Sequence, residues 1–292
     1  MSTFTRQIDR VLAAQYGREA VDIGECGHYR ASSGLTVNIE APLSSAVKGT
    51  VSYPPNASVS ETIGSQHDTI IEVLNETTLS AGKRLMEFGC HPVLLNFASA
   101  INPGGGFLNG ARAQEEYLAR SSCLYACIRS NAMYAFHRAN YDPLYTDYLI
   151  YSPGVPVIRD DSGTLLEVPY KIAMITCAAV NANRVPAERR HEIGPAMMRR
   201  ISKVLSVGIA HGHDGIVLGA WGCGAFGNDG HEIAGLFHSA LSDKFKGTYR
   251  RVIFAVVDWS PDRRFIRPFE EQFQSKGQTG APALRQSVKG VP

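Results

Sequence analysis

The chain is predicted to fold as an α/β sandwich around a largely parallel or mixed sheet. Strand-like and helix-like segments alternate from residue 60 to residue 274, the pattern of helices packed on a central sheet. Two of the strand-like segments, PVLLNFASA and YKIAMITCAAVN, are nearly unbroken apolar runs, as expected of strands covered on both faces. Two glycine-rich loops each follow an apolar run and precede a helical one, which is where ligands bind in open α/β sheets.

Taken in order, the start MSTFTRQIDRVLAAQYGREAV is charged and interrupted. It is predicted as an amphipathic helix over about residues 5–20 rather than a signal peptide. GLTVNIEAPL and KGTVSYPP are short β-rich runs bounded by Gly and Pro. HDTIIEVLNETTLSAGKRLMEFGC predicts a strand followed by a helix, capped by Asn75 or Thr77, with Leu79, Leu85 and Phe88 on its apolar face. After PVLLNFASA and the first glycine loop, QEEYLARSSCLYACIRS carries Tyr117, Leu118, Leu124, Tyr125 and Ile128 at helical spacing. DYLIYSPGVPVIRD predicts a strand running into a Pro/Gly turn, and YKIAMITCAAVN another buried strand. AERRHEIGPAMMRRISKVLSVGIAHG predicts a long helix with Pro195 as its kink or break. Then come the strand and glycine loop of DGIVLGAWGCGAFGN, the helix DGHEIAGLFHSALSDKF, the strand YRRVIFAVVD and the helix DRRFIRPFEEQF. The tail SKGQTGAPALRQSVKGVP lacks apolar periodicity and is predicted to be flexible. The expected organisation is an N-terminal extension over residues 1–60 packed on the core, a catalytic core over 61–274, and a tail over 275–292.

Composition narrows the function classes. The 292 residues are 44% hydrophobic, enough for one large domain with a real core. A net charge of +2 gives no basic stripe, so direct nucleic-acid binding is not indicated. No run of 18 apolar residues exists, so no membrane helix is expected. The six cysteines form no CxxC pair; they are expected as reduced thiols of a soluble, intracellular, cytoplasmic protein. Cys123 and Cys127 have no second close Cys/His pair to complete a zinc site, and no metal or cofactor is expected. His211 and His213, at a helix end before a turn, are expected at the surface, and the sequons at Asn56 and Asn75 carry no role.

The chemistry is concentrated in two stretches. NPGGGFLNGARAQEE places Gly104, Gly105 and Gly106 ahead of Gln114, Glu115 and Glu116 at the start of a helix. GCGAFGN places Gly222, Gly224, Ala225, Phe226, Gly227 and Asn228 after the strand GIVLGAW. Glycine lets backbone N–H groups approach phosphate oxygens, and a following helix adds free N–H groups and its positive dipole end. Two such elements fit a diphosphate or a diphosphate with a sugar; ordinary tight loops are the plainer reading. GCGAFG matches GxGxxG by letters, but a dinucleotide fold carries that motif on its first strand, and no GxxxxGK[ST] is present. Phe226 can cover a sugar or base, or simply plug the core. Adjacent helical residues point about 100° apart, so Glu115 and Glu116 cannot flank one bond as the two carboxylates of a standard glycosidase; at most one acts directly. A helix N-terminus favours a charged carboxylate while a general acid must carry a proton, so burial or a substrate diphosphate has to supply the difference.

The segment LNFASAINPGGGFLNGARAQEEYLARSSCLY resembles the signature of the poly(ADP-ribose) glycohydrolases, a triple glycine followed closely by Gln-Glu-Glu. With YSPGVPVIRD and GAWGCGAFGN it is similar to the short microbial branch of that family, over about residues 60–270. The resemblance implies a macrodomain-like three-layer α/β/α sandwich with a mixed sheet that binds ADP-ribose, and hydrolysis of ribose–ribose O-glycosidic bonds in poly(ADP-ribose), mainly from the free chain end. It makes Glu116 the catalytic carboxyl, with Glu115 binding the ribose beside it. It makes Gly104–Gly106 the catalytic loop and Gly222–Gly227 the diphosphate loop with Phe226 over the ribose. Asn96 is implied to order the catalytic loop or the ribose. The expected partners are poly(ADP-ribose) or ADP-ribosylated macromolecules as substrate and ADP-ribose as product. Two other readings stand beside this one: an ADP-ribose-binding module that does not cut, and a hydrolase of mono-ADP-ribose conjugates on protein or nucleic acid.

Overall fold

The computed structural model describes residues 8–55, 57–59 and 67–273. The chain opens with helix α1 (Arg10–Cys26), whose first turn is held by Asp9 accepting from the N–H of Val11 at 2.7 Å. A small two-stranded hairpin follows, β1 (His28–Arg30) and β2 (Thr36–Asn38), then α2 (Glu40–Lys48) and β3 (Val51–Tyr53). Next come β4 (Ile70–Leu74), α3 (Thr78–Glu87), β5 (Pro92–Phe97), α4 (Gln114–Ser121), α5 (Leu124–Ile128) and α6 (Ala132–Ala139). The second half contains β6 (Leu149–Arg159), β7 (Leu165–Cys177), α7 (Ile193–Ala210), β8 (Gly215–Leu218), α8 (Gly230–Ser242), β9 (Arg251–Ala255) and α9 (Arg267–Phe273).

The main sheet has the order β3-β6-β7-β5-β8-β9-β4. It is mixed: β3, β6 and β7 pair antiparallel, whereas β7, β5, β8, β9 and β4 run parallel. Successive strand residues point to opposite faces, and the core divides accordingly. Val93 and Leu95, Ile216 and Leu218, and Val252 and Phe254 pack with Met197 and Ile201 of α7 and Phe237 of α8. The alternate residues Leu94, Val217 and Ile253 pack with Leu79 and Leu85 of α3 and Leu118 of α4. The result is the α/β/α sandwich expected from the alternation. A third cluster joins Ala20 and Ile23 of α1 to Val37, Leu43 and Ile158. β3, although it falls within residues 1–60, is the edge strand of the main sheet.

Several local expectations are corrected. The first helix begins at Arg10 and runs to Cys26, well past residue 20; residues 5–7 lie outside the described residues, as do Asn56 and the tail from 274. α2 arises where only short β runs were expected; Pro42 sits in its first turn, where a missing N–H is harmless. Thr77 rather than Asn75 caps α3, accepting from the N–H of Ser80, and Phe88 is exposed at the other end. The segment 114–130 is not one helix. Ser122 is extended and bridges Val157, and the N–H of Cys123 donates to the carbonyl of Pro156. Pro153 and Gly154 do not end β6; a register shift between Ser152 and Val155 absorbs them. Pro195 does not kink α7, because it lies in the first turn, and residues Ala187–Glu192 ahead of it form a 3-10 helix.

His213 is buried, not a surface residue. Its Nδ1 lies 3.0 Å from the carbonyl oxygen of His91, which can only accept, so Nδ1 carries the proton and Nε2 accepts from the Tyr151 hydroxyl at 2.9 Å. Burial pushes its pKa down to about 4. His211 is only partly exposed: its ring stacks on Tyr151 at 3.6 Å, and its Nε2 meets the Tyr53 hydroxyl at 2.8 Å.

Candidate active site

β5 delivers the chain to the site, and α4 returns it. The first residue of α4, Gln114, is fixed to the strand itself. Its Oε1 accepts from the N–H of Phe97 at 2.9 Å, and its Nε2 donates to the Leu95 carbonyl at 2.8 Å and to Thr78 Oγ1 at 3.1 Å. Ala113 offers no side-chain cap to this helix, so two acidic residues in its first turn face uncapped N–H groups and a favourable dipole.

Glu115 and Glu116 diverge, as the helical angle requires. Glu115 Oε2 accepts from the N–H of Ser99 at 2.6 Å, and Glu116 Oε1 accepts from the N–H of Gly106 at 2.9 Å. Both residues are buried, at 3% and 8% exposure. Their other oxygens, Glu115 Oε1 and Glu116 Oε2, are buried and accept no hydrogen bond among the described residues. Burial raises the pKa of Glu115 well above the usual carboxylate value; the Ser99 N–H opposes this, and the neighbouring Glu116 charge adds to it. Gly105 explains the triple glycine: its φ is +61°, and a Cβ there would sit 2.3 Å from Glu116 Oε1.

The second loop follows β8, and its carbonyls are tied back. Asn228 Nδ2 donates to the carbonyls of Val180 at 2.7 Å and Gly222 at 3.1 Å. The N–H of Asn183 donates to the Phe226 carbonyl at 3.0 Å, and its Nδ2 donates to the Ala225 carbonyl at 3.1 Å. The N–H groups of Gly222, Gly224, Ala225 and Phe226 donate to no protein group among the described residues. Open donors on a loop whose acceptors are occupied make an anion-binding concavity.

Both loops serve one cavity of about 680 Å³, within the range of small-ligand sites. Gln114, Glu115 and Glu116 line it on one side, and Gly222, Gly224, Ala225 and Phe226 on another. The remaining sequence-expected residues stand behind this wall. Asn96 is fully buried on β5, its Nδ2 donating to Thr176 Oγ1 at 3.2 Å. Gly104–Gly106 do not line the cavity: Gly106 donates its N–H to Glu116, Gly105 lies against the same carboxyl and Gly104 packs by Phe107, while Gly227 and Asn228 brace the second loop. Phe226 lines the cavity and packs, partly buried, against the core. Sequence reasoning missed Tyr16, Arg120, Arg159, Trp259 and Phe265, which also line the cavity. For Trp259 a signal was available, since it lies just beyond the carboxyl end of β9. No group of three or more His, Cys, Asp or Glu able to hold a metal occurs among the described residues. No helix among them is long and apolar enough to cross a membrane.

Residues 17–160 match the model of the microbial-type PARG catalytic domain. The fold also resembles solved structures along most of its length. The poly(ADP-ribose) glycohydrolase from Thermomonospora curvata, bound to the inhibitor ADP-HPD, is 46% identical with a TM-score of 0.85, covering 90% of this chain and 100% of that one. The poly(ADP-ribose) glycohydrolase from Deinococcus radiodurans in complex with ADP-ribose is 37% identical with a TM-score of 0.78, covering 82% and 100%. The chain belongs to the microbial-type poly(ADP-ribose) glycohydrolase family. No protein of curated function matches it. Membership in this glycohydrolase family gives the sandwich described above its class, the macrodomain-like fold. The family-model match spans the first glycine loop and the carboxylates; the second loop lies outside it, within the longer structural likeness.

Proposed function

We propose that this protein hydrolyses the ribose–ribose O-glycosidic bonds of poly(ADP-ribose) and releases ADP-ribose, working mainly from the free chain end. One observation carries the reading. Glu115 and Glu116, each with a buried carboxyl oxygen that has no hydrogen-bond partner among the described residues, line one cavity with a loop whose N–H groups at Gly222, Gly224, Ala225 and Phe226 are open. An ADP-ribose unit has the matching parts: a diphosphate for the donors and a ribose for the carboxyls.

In this reading the diphosphate sits on the second loop, Phe226 covers the ribose, and Val257, Trp259 and Phe265 offer an apolar wall to the adenine. Glu116 protonates the ribose oxygen that leaves. The C–O bond breaks with its electron pair on that oxygen, and the sugar becomes oxocarbenium-like, stabilised by the bound diphosphate. The Glu116 carboxylate then takes a proton from water as the water oxygen bonds to the anomeric carbon, which restores the carboxyl. Glu115, held by Ser99 and inclined by burial to keep its proton, hydrogen-bonds the ribose hydroxyls. Gln114, bonded from α4 to the backbone of β5, and Asn96, on β5 beneath Glu115, act as positioning residues.

Residues 61–274 are the catalytic core in this proposal, and the N-terminal segment supplies part of the cavity wall through Ile8, Leu12 and Tyr16. The setting is intracellular reversal of ADP-ribosylation, DNA-damage signalling included; six free cysteines, five of them buried, fit a reducing compartment.

The test is automodified polymer incubated with the wild-type chain and with Glu116→Gln. Wild type is expected to release free ADP-ribose. The variant should lose about 10²–10⁴-fold in turnover, the range of acid–base catalysis, while still binding ADP-ribose. Near-normal turnover by Glu116→Gln rules the assignment out. Resolving end-labelled polymer by length tests the end-trimming claim, which early mid-length oligomers would refute. A mono-ADP-ribosylated protein in parallel should stay modified; its rapid clearance would favour the conjugate hydrolase instead.

A further inference from the structure

The cavity has two parts. Its glycine-loop part is built at the carboxyl ends of β5, β8 and β9. A second part is walled by α1 through Leu12 and Tyr16, by the β6–β7 turn around Gly163, and by Arg120 and Arg159. Glu116 lies between the two, because α4 starts bonded to β5 at Gln114 and reaches the second part at Arg120. Arg120 follows Glu116 by four residues, so it shares the same helix face about 6 Å along the axis.

Arg120 is 7% exposed, yet its guanidinium is poorly used. Among the described residues it makes one hydrogen bond, a 3.4 Å contact from Nη1 to the Ala111 carbonyl, and lies 5.7 Å from the Tyr117 ring centroid. Its neighbour Arg159 is fully engaged, bonding Glu19 at 2.5 Å and the Gly163 carbonyl at 2.7 Å, with its guanidinium 4.1 Å from the Tyr16 ring centroid. The acid across the space, Asp161, is occupied by the hydroxyls of Thr77, Ser80 and Tyr117. What distinguishes Arg120 is therefore not net charge but open, preorganised donors. The unused N–H groups are not sealed in protein but open on the cavity, where a ligand can complete them. The guanidinium's planar fork matches the oxygens of a phosphate.

We propose that Arg120 binds the diphosphate of the unit that leaves, that is, the polymer unit whose ribose hydroxyl Glu116 protonates. The inference rests on the functional reading above. The leaving ribose carries its own 5′-diphosphate a few bonds from the oxygen that departs, which matches one helical turn between Glu116 and Arg120. Arg120 is then a specificity residue: it separates a polymer end from any leaving group that lacks phosphate.

The experiment compares two substrates of the full chain with the same ADP-ribose and the same bond. One is the dimer of ADP-ribose; the other is 2′-O-ADP-ribosyl adenosine, whose leaving group has no diphosphate. Wild type should prefer the dimer by about 10- to 100-fold in kcat/KM, the range of a charge-assisted hydrogen bond or two. R120Q should lose that preference, chiefly through KM on the dimer, and R120K should keep part of it. ADP-ribose affinity by calorimetry checks that the variants fold. An R120Q variant that keeps the wild-type ratio overturns the proposal. So does a wild-type enzyme with equal kcat/KM on both substrates, a result that needs no variant to be soluble. A wild-type chain that cleaves neither substrate overturns the functional reading and this inference with it.

Discussion

The glycine loop after β5 and the glycine loop after β8 are held in opposite ways. In the first, the protein's own carboxyls reach the backbone: Glu116 bonds the Gly106 N–H, and no room remains at Gly105 for a single added carbon. In the second, protein side chains take the carbonyls instead, through Asn183 and Asn228, and the N–H groups are left open. At Gly224 an added Cβ would meet nothing within 4 Å. Glycine thus serves two purposes around one cavity: the first loop is small so that the Glu116 side chain fits against it, and the second leaves open space in front of its N–H groups.

The sharpest way to break this contrast is Gly105→Ala. The new methyl would clash with Glu116 Oε1 at a backbone φ of +61°. Turnover on polymer should fall by more than about 100-fold, with a stability loss of about 1–3 kcal/mol from strain at positive φ. Steady-state rates and a thermal melt check it; a wild-type rate would mean that Glu116 does not depend on the loop. Gly224→Val should do the reverse. Its Cβ meets no protein atom within 4 Å, so the melting temperature should hold, while a branched side chain in the proposed ligand space weakens ADP-ribose binding about 10–100-fold by calorimetry. A variant that binds normally would remove the second loop from the site. Phe226→Ala is milder, about tenfold in ADP-ribose affinity with little change in kcat, as for the loss of one aromatic contact. A loss in kcat alone would assign Phe226 to the chemistry rather than to binding.

The smallest effect concerns Glu115 and pH. Its folded pKa is raised, so the stability tied to its proton is fully present below about pH 4.5 and is lost as pH rises through the folded value. Glu115→Gln keeps the shape and removes the titration. The melting temperature of the variant relative to wild type should therefore climb by a few degrees from pH 4.5 to pH 8, and stay level below pH 4.5. A difference that does not vary with pH would show that Glu115 keeps no proton in the fold.

Much of this site could be read from residue order, for a physical reason. The glycines and the Gln-Glu-Glu triplet act on one another across about ten residues, and the apolar runs ending at Phe97 and Leu218 mark where strands stop. The parallel core strands were legible because burial on both faces demands apolar residues throughout. What escaped depends on partners far along the chain. Ser122 breaks a helical pattern because Val157 bridges it, and His213 is buried by Tyr151, 62 residues away. Pro153 and Gly154 suggest a turn, but pairing with β7 carries the strand through them. Arg120 sits on the correct helix face beside Glu116, but its lack of partners appears only once Arg159, Glu19 and Asp161 are in place.

The break at Ser122 has a mechanical side. α4 is only eight residues long, and it is anchored at both ends: Gln114 is bonded to the backbone of β5, and Ser122 is bridged to β6, two strands that both flank β7. A longer, continuous helix would have been fastened at one end and free to pivot at the other. This one is a short strut between two rails, and Glu116 rides near its fixed start. The carboxyl has little conformational freedom left, because the helix that carries it is tied to the sheet at both ends. In the proposed reaction, cutting the strut at the far end, with Glu116 and both loops untouched, would turn a positioned acid into a wandering one.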